Sequence, residues 1–188
     1  MKILVTAFGP FDGRPENASS LALRELKKFI SGIHTRILPV DSVIAPARLK
    51  QALGLLRPDV LIMLGEAAGS QKIRLETTAW NSLDFSIPDV VGRQPMNRLI
   101  RPASPVSLGS TLPLEKFHAL LTAHSHEVTF SDDPGRYLCN QLFFTALDFL
   151  RERPIPCAAG FIHLPLAGDY PTSRAADALG HLVQQMIG

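Results

Sequence analysis

The sequence predicts an α/β protein in which a mainly parallel β-sheet carries helices on both faces. Short continuous apolar runs, typical of strands buried on both sides, alternate with amphipathic segments of about three turns. The length of 188 residues fits one domain, because domains commonly contain roughly 100–200 residues. The composition, 46% apolar and 19% charged, is that of a globular protein. We therefore interpret residues 1–188 as a single domain.

The predicted strands are apolar runs bounded by glycine, proline or polar residues. The first opens directly into a Gly/Pro loop and so delivers its carboxyl end to a surface site. The third is interpreted as stopping at Gly65, and the fourth alternates in character, which is typical of a strand at an edge or in a hairpin. In chain order the predicted strands are 2–7, 35–40, 59–64, 72–80, 127–130 and 156–164.

The predicted helices follow N-cap candidates or a first-turn proline and repeat leucine at helical spacing. The first begins after the N-cap candidates Asn17 to Ser20 and ends near Gly32, and the others cover 46–56, 113–124, 140–151 and 173–187. Segment 81–110 has no clean period, and its prolines break any helix. A connection of that length favours a lid, a subunit contact or part of a substrate wall.

Charge and cysteine content narrow the class of protein further. The net charge is only +2 and the basic residues are scattered, which argues against nucleic acid as a partner. The N-terminal apolar run is broken by Gly9 and Pro10, too early for a secretory signal, so we expect a cytoplasmic protein. The two cysteines, Cys139 and Cys157, are then expected to be free thiols.

Cys139 is the candidate nucleophile. It lies where the flexible Asp133-Pro134-Gly135 segment meets the start of a long predicted helix. Unpaired N–H groups at a helix N-terminus favour a thiolate over a thiol and can donate to an oxyanion. The alternative is that Cys139 is one more small buried apolar side chain.

His163 is the candidate general base, since it ends an apolar predicted strand where α/β proteins form their ligand crevice. The alternative is a hydrogen-bonded core histidine. The other histidines fall on helical or surface segments without metal-ligand spacing, so no metal is expected. They are His34, His118, His124, His126 and His181.

Glu76 is the best carboxylate to orient the imidazole, because it follows a Gly-rich turn after the third strand. Its alternative is an exposed strand glutamate paired with Arg74 on the same face. Phe8 and Phe11 lie in a Gly/Pro loop, where aromatic rings either anchor the loop or line a pocket for a small flat ligand.

Five motifs in one order resemble the pyroglutamyl-peptidase I family, also called the pyrrolidone-carboxylate peptidases. The resemblance covers nearly the whole chain. The motifs are Phe8-Gly-Pro-Phe11, Glu76 after the Gly-rich turn, Asn81 with Ile87-Pro88-Asp89, Gly135-Arg-Tyr-Leu-Cys139-Asn140, and Gly160-Phe-Ile-His163-Leu-Pro165.

The resemblance implies a thiol protease that removes N-terminal pyroglutamyl (5-oxoprolyl) groups from peptides without a cofactor. It implies a three-layer α/β/α sandwich with a mainly parallel mixed sheet, of the phosphorylase/hydrolase-like type, in a cytoplasmic protein that is often a dimer or tetramer. On the matching positions, Cys139 would be the nucleophile, His163 the base and then the acid, and Glu76 the orienting carboxylate. The substrate-binding residues would be Phe8, Phe11, Ile87 and Tyr137.

The sequence departs from the family pattern at three positions. Ser86 replaces an arginine before Ile-Pro-Asp, Thr77 replaces an arginine after the glutamate, and Glu66 adds a negative charge in the Gly-rich turn. Arg74 and Arg93 are the nearby candidates to replace the first arginine. These departures leave open a related amidase for another small acyl group, or a binding homologue that has the pocket without activity.

Overall fold

A six-stranded mixed sheet forms the centre of the protein, and a two-stranded ribbon lies beside it. The computed structural model describes residues 1–153 and 155–188. The strands are β1 (Ile3–Phe8), β2 (His34–Leu38), β3 (Val60–Ala67), β4 (Ile73–Glu76), β5 (Thr78–Trp80), β6 (Ser107–Gly109), β7 (Val128–Ser131) and β8 (Ala158–Pro165). The large sheet has the order β2-β1-β3-β8-β4-β7, and β5 pairs with β6.

The direction of the strands confirms the predicted mainly parallel mixed sheet. Strands β2, β1, β3 and β8 run parallel to one another, whereas β4 runs antiparallel to β8 and parallel to β7. The central strands β1 and β8 are apolar and almost wholly buried, as expected for strands covered on both faces.

In the part of the chain that the structure describes, five helices cover the two faces and complete the three layers. They are α1 (Ala18–Leu26), α2 (Ile44–Leu56), α3 (Leu114–Ala123), α4 (Leu138–Arg151) and α5 (Thr172–Ile187). One core cluster joins α1, α3 and α5 to the sheet, and the other joins α2 and α4 to its opposite face. In the described ranges, no helix has both the length and the apolar character needed to cross a membrane.

The first helix is shorter than predicted. The Asn17 side chain accepts a hydrogen bond from Ser19 N–H at 3.0 Å and caps α1, as the sequence suggested. The helix ends at Leu26, not near Gly32, because the next amides turn back on the last carbonyls: Lys28 N–H bonds to Glu25 and Phe29 N–H to Leu26.

Strand β3 does not stop at Gly65, and this prediction was wrong. The strand continues to Ala67, with Gly65 opposite His163 and Ala67 opposite Pro165 on β8. Gly65 does not end the strand, because its backbone stays extended. Its role is to leave space that a side chain would fill.

The single strand predicted over 72–80 is two strands in two sheets. Strand β4 lies between β8 and β7, not at an edge, and β5 forms the hairpin-like ribbon with β6. The polar residues that suggested an edge, Arg74 and Glu76, lie 3.3 Å apart (Nε to Oε1), and their pairing allows an interior position.

The long segment 81–110 is folded on itself through Asn81 and is held against the rest of the chain at Asp89. The Asn81 side chain donates to the carbonyls of Arg101 and Ser104 and accepts from the Arg101 amide. The buried Asp89 carboxylate accepts from the amide and hydroxyl of Ser42 at 2.9 and 2.7 Å. Burial raises the pKa of Asp89, but these hydrogen bonds outweigh it and leave the pKa below its ordinary value.

Candidate active site

The carboxyl ends of β3 and β8 meet the N-terminus of α4 at one place. His163, near the end of β8, is paired in register with Gly65 on β3 and with Arg74 on β4. Helix α4 begins at Leu138, two residues before the predicted start, so Cys139 lies in its first turn. The described structure thus brings the ends of three predicted elements together.

The imidazole of His163 is held by a buried carboxylate. Its Nδ1 lies 2.8 Å from Glu76 Oε1, and Glu76 is completely buried. Because an ionised carboxylate only accepts hydrogen bonds, Nδ1 carries a proton and Nε2 is the ring nitrogen left for chemistry. Arg74 Nε, 3.3 Å from the same oxygen, balances the buried charge.

Cys139 lies at a helix end whose positive potential is not neutralised by capping. The N-cap residue Tyr137 makes no side-chain capping hydrogen bond, and the first turn of α4 contains no acidic residue. The free N–H groups of this turn therefore remain available to an anion.

The pKa of His163 reflects the neighbouring cysteine. Burial alone lowers this pKa, but the Cys139 charge and hydrogen bond, together with Glu76, raise it to about 9. A ring whose pKa is raised in this way can hold a proton at neutral pH and donate it next to the cysteine.

Gly65 provides the space in which the cysteine sulfur sits. A Cβ at this position would lie 2.9 Å from Cys139 Sγ and 2.9 Å from the ring of Phe161. Neither neighbour is the free end of a flexible surface side chain, so any larger residue must displace the sulfur, the ring or the strand. The sequence does not reveal this role, because the glycine's neighbours are distant in the chain.

We expect Gly65→Ala to reduce both stability and activity. Overpacking a tight core commonly costs about 1–3 kcal/mol, and a displacement of about 1 Å can cost about 100-fold in rate. Urea unfolding measures the first effect, and kcat on the pyroglutamyl amide that the resemblance implies as substrate measures the second. Gly168→Ala is the matched control, since a Cβ there has no neighbour within 4 Å. Equal behaviour of the two variants would contradict the steric argument.

A small cavity opens beside Cys139 and carries three of the predicted substrate-binding residues. Phe8, Phe11 and Tyr137 line it. The Tyr137 ring packs 5.3 Å from Phe11 and 4.3 Å from Phe85, centroid to centroid. Ile87 lies outside this cavity and lines an adjoining, more open cleft with Phe11. Phe85, whose ring packs against Tyr137, is not among the candidates that the sequence suggested.

The extra charge of Glu66 is balanced within the same wall of the cavity. Its Oε2 accepts from the Ala18 amide at 2.7 Å, at the N-terminus of α1. Its Oε1 lies 2.8 Å from Arg14 Nη1, an ion pair that is close but not aligned as a hydrogen bond. Arg14, absent from the sequence-based candidates, therefore keeps this pocket from being strongly negative.

Neither arginine considered as a replacement at Ser86 is free. Arg93 is paired with Asp41 at 3.0 Å, and Ser86 itself is exposed. Arg74 donates to Ser131 Oγ and to the Asp133 carbonyl, both at 2.6 Å, and contacts Glu76. Its place in the site is thus beside the carboxylate.

Asn140 fixes the start of α4 against the ribbon strand β5. The fully buried side chain accepts from the Trp80 amide at 2.8 Å and donates to the carbonyls of Trp80 and Ser82. On the other side, the Tyr137 hydroxyl donates to the Pro88 carbonyl at 3.1 Å. These contacts hold the cysteine's helix turn in position.

Cys157 lies apart from this arrangement. It is half-buried and borders a different cavity with Leu108, Thr111 and Ile155. Burial raises the pKa of its thiol to about 12, so it remains protonated and poorly nucleophilic at neutral pH.

Comparison with known proteins identifies the family. A family model described as pyroglutamyl peptidase matches residues 1–181. The chain belongs to the pyroglutamyl peptidase family. A pyrrolidone-carboxylate peptidase of Clavibacter michiganensis is 35% identical over 176 residues, covering 92% of this chain and 80% of the relative. One from Pyrococcus furiosus is 33% identical over 183 residues, covering 96% and 86%.

Solved structures agree with this membership. The pyrrolidone carboxyl peptidase from Thermococcus litoralis matches with a TM-score of 0.91 at 29% identity, covering 97% of this chain and 91% of that one. The Bacillus amyloliquefaciens pyroglutamyl peptidase I matches with a TM-score of 0.90 at 25% identity, covering 96% and 94%. The resemblance found in the sequence, the α/β fold and the cysteine-type peptidase class of this family member are confirmed.

Proposed function

We propose that this protein removes N-terminal pyroglutamyl groups from peptides, with Cys139 as nucleophile, His163 as general base and acid, and Glu76 as the orienting carboxylate. The observation that carries the proposal is the buried 2.8 Å contact between His163 and Glu76 on the strands next to the N-terminus of α4, where Cys139 lies. Family membership supports the choice of substrate, since curated relatives are named pyrrolidone-carboxylate peptidases.

The reaction begins when the Cys139 thiolate attacks the carbonyl carbon of the pyroglutamyl amide. The tetrahedral intermediate collapses as the imidazolium of His163 gives its Nε2 proton to the departing amine, which leaves a thioester on Cys139. His163, now neutral, takes a proton from water, and the resulting attack releases pyroglutamate and restores the thiolate. Glu76 keeps the Nδ1 proton in place throughout.

The first turn of α4 supplies the electrostatic stabilisation in this proposal. Negative charge develops on the carbonyl oxygen in both tetrahedral intermediates, and N–H groups at an uncapped helix N-terminus are suitable donors. Ser86 cannot provide the cation that its family counterpart would bring, so the helix must carry more of this stabilisation here.

The pocket favours a small, flat and uncharged acyl group. Phe8, Phe11 and Tyr137 offer aromatic faces, and Arg14 with Glu66 provides a balanced polar wall. A pyrrolidone ring has no free ammonium, so it enters without the cost of burying an unpaired charge. An ordinary N-terminal residue pays that cost.

A panel of acyl-aminocoumarins tests the proposed substrate. We expect the pyroglutamyl derivative to be cleaved and the prolyl derivative to react at least about 100-fold more slowly, because its ammonium is left unpaired. Iodoacetamide should abolish the turnover. Preferential cleavage of an acetyl or another small acyl derivative would instead favour the related amidase, for which Ser86 and Glu66 are the motivating differences. Alkylation of Cys139 without turnover on any amide would indicate a binding homologue.

A further inference from the structure

A second group of titratable side chains lies beside the middle of α5, in residues that the peptidase proposal does not use. His126 Nε2 lies 3.3 Å from Asp177 Oδ2, and His181 Nε2 lies 3.6 Å from the same oxygen. The three ligand atoms all fall within 4.8 Å of one another. The sequence has no metal-ligand spacing around His126, but the folded chain supplies a carboxylate and a second imidazole from one face of α5.

His126 is the reason to regard this cluster as a binding site. Its side chain is 2% exposed, yet its Nε2 has no hydrogen-bond partner among the described residues. Its other nitrogen, Nδ1, lies 2.9 Å from the Tyr170 hydroxyl. When Nδ1 donates to that oxygen, Nε2 presents a lone pair towards a carboxylate, an arrangement that is unfavourable until a cation lies between them.

We propose that His126, Asp177 and His181 bind a divalent transition-metal ion, with Zn²⁺ as the best-suited metal. Two imidazoles and one carboxylate match the ligand preferences of zinc. Ligands about 2.1 Å from a tetrahedral zinc lie about 3.4 Å from one another, close to the separations around Asp177 Oδ2. Three protein ligands leave one position for water, and the side chain of Asp177 is 61% exposed, so ion and water can reach it.

The surroundings orient the ligands in the manner expected of an outer shell. Tyr170 holds the His126 ring at Nδ1. The His124 ring packs 3.7 Å from His181, centroid to centroid, while its own Nδ1–H donates to the Leu120 carbonyl. The nearby cation, Arg174, is engaged with the Ser125 carbonyl and lies over the Tyr170 ring.

A metal here would tie two separate parts of the chain together. His126 belongs to the turn between α3 and β7, and Asp177 and His181 lie on α5, which packs against α3. Since binding requires both parts in place, the metal would stabilise the folded state in proportion to its concentration.

Calorimetric titration with ZnCl2 tests the proposal in a Cys139→Ser, Cys157→Ser background with any affinity tag removed. This background prevents the thiols from binding zinc. We expect one Zn²⁺ per chain, a rise in melting temperature with zinc, and an affinity at least about 100-fold weaker after His181→Ala or Asp177→Asn. Tyr170→Phe, which removes only the outer hydroxyl, should weaken binding about 10–100-fold. His34→Ala, an exposed histidine on β2, is the matched control.

Asp177 and His181, which are less buried than His126, keep the test decisive if His126→Ala does not fold. Absence of zinc binding in the thiol-free background would overturn the proposal. So would binding that His181→Ala and Asp177→Asn leave unchanged. Because the thiol-free background has lost the proposed nucleophile, neither outcome depends on the peptidase assignment.

Discussion

Cys139→Ala is expected to lose essentially all pyroglutamyl amidase activity while remaining folded. Alanine removes the only atom that can form the acyl-enzyme, and nucleophile deletions in comparable hydrolases cost at least about 10⁴-fold in kcat. The substitution removes little packing, because Cys139 is only partly buried. Steady-state hydrolysis of pyroglutamyl-aminocoumarin measures the loss, and circular dichroism with a thermal melt verifies the fold.

Cys157→Ala is the matched control for that experiment. Its thiol borders another cavity and stays protonated at neutral pH, since burial raises its pKa to about 12. We expect kcat/KM within a few-fold of the wild type. Equal loss in the two variants, or full activity in Cys139→Ala, would rule out the proposed nucleophile.

Glu76→Gln is expected to lower kcat by about 10³–10⁴-fold with a much smaller change in KM. Glutamine can present its NH2 group to His163 Nδ1 and so favour the wrong tautomer, and it removes the charge that supports the imidazolium. Steady-state kinetics measure the effect, with the exposed Glu115→Gln on α3 as control. Retained kcat in Glu76→Gln would show that the carboxylate does not orient the base.

The same variant changes the titration of His163 in a defined direction. In the wild type the folded-state pKa is raised from 6.5 to about 9, so the protonated ring contributes stability that is fully present below pH 6.5 and lost as the pH rises through about 9. Removing the Glu76 charge should lower that pKa. The free-energy difference between wild type and Glu76→Gln, from urea unfolding, should therefore shrink between these pH values.

The sequence was sufficient for the parts of the site that obey general rules of α/β architecture. His163 lies near the end of a buried strand and Cys139 lies in the first turn of a helix, and parallel strands with helical connections bring such ends together. The sequence offered Glu76 because it follows a Gly-rich turn, and the resemblance to a known family favoured it over an ordinary exposed glutamate. The alternative, an exposed glutamate paired with Arg74, was right about the pairing and wrong about the exposure.

The features that escaped prediction depend on contacts between distant segments. Gly65 is indistinguishable in the sequence from a strand terminator, and only the positions of Cys139 and Phe161 give it meaning. The Arg14 contact with Glu66 and the approach of His126 to α5 are likewise set by tertiary packing. The local sequence pattern indicates which residues are buried and which element they form. It does not indicate which distant side chain packs against them.

The reversed direction of β4 has a consequence for how the site responds to its solution. Because β4 is antiparallel to β8, Glu76 is paired with Phe161, two residues before His163 and farther from the carboxyl end of β8. The Glu76 carboxylate is therefore fully buried, whereas Cys139, on the other side of His163, is partly exposed to solvent. Dissolved ions, which weaken exposed charge pairs over about 8–10 Å, have no route to the carboxylate. The contribution of Glu76 to the pKa of His163 should consequently differ little between dilute buffer and concentrated salt.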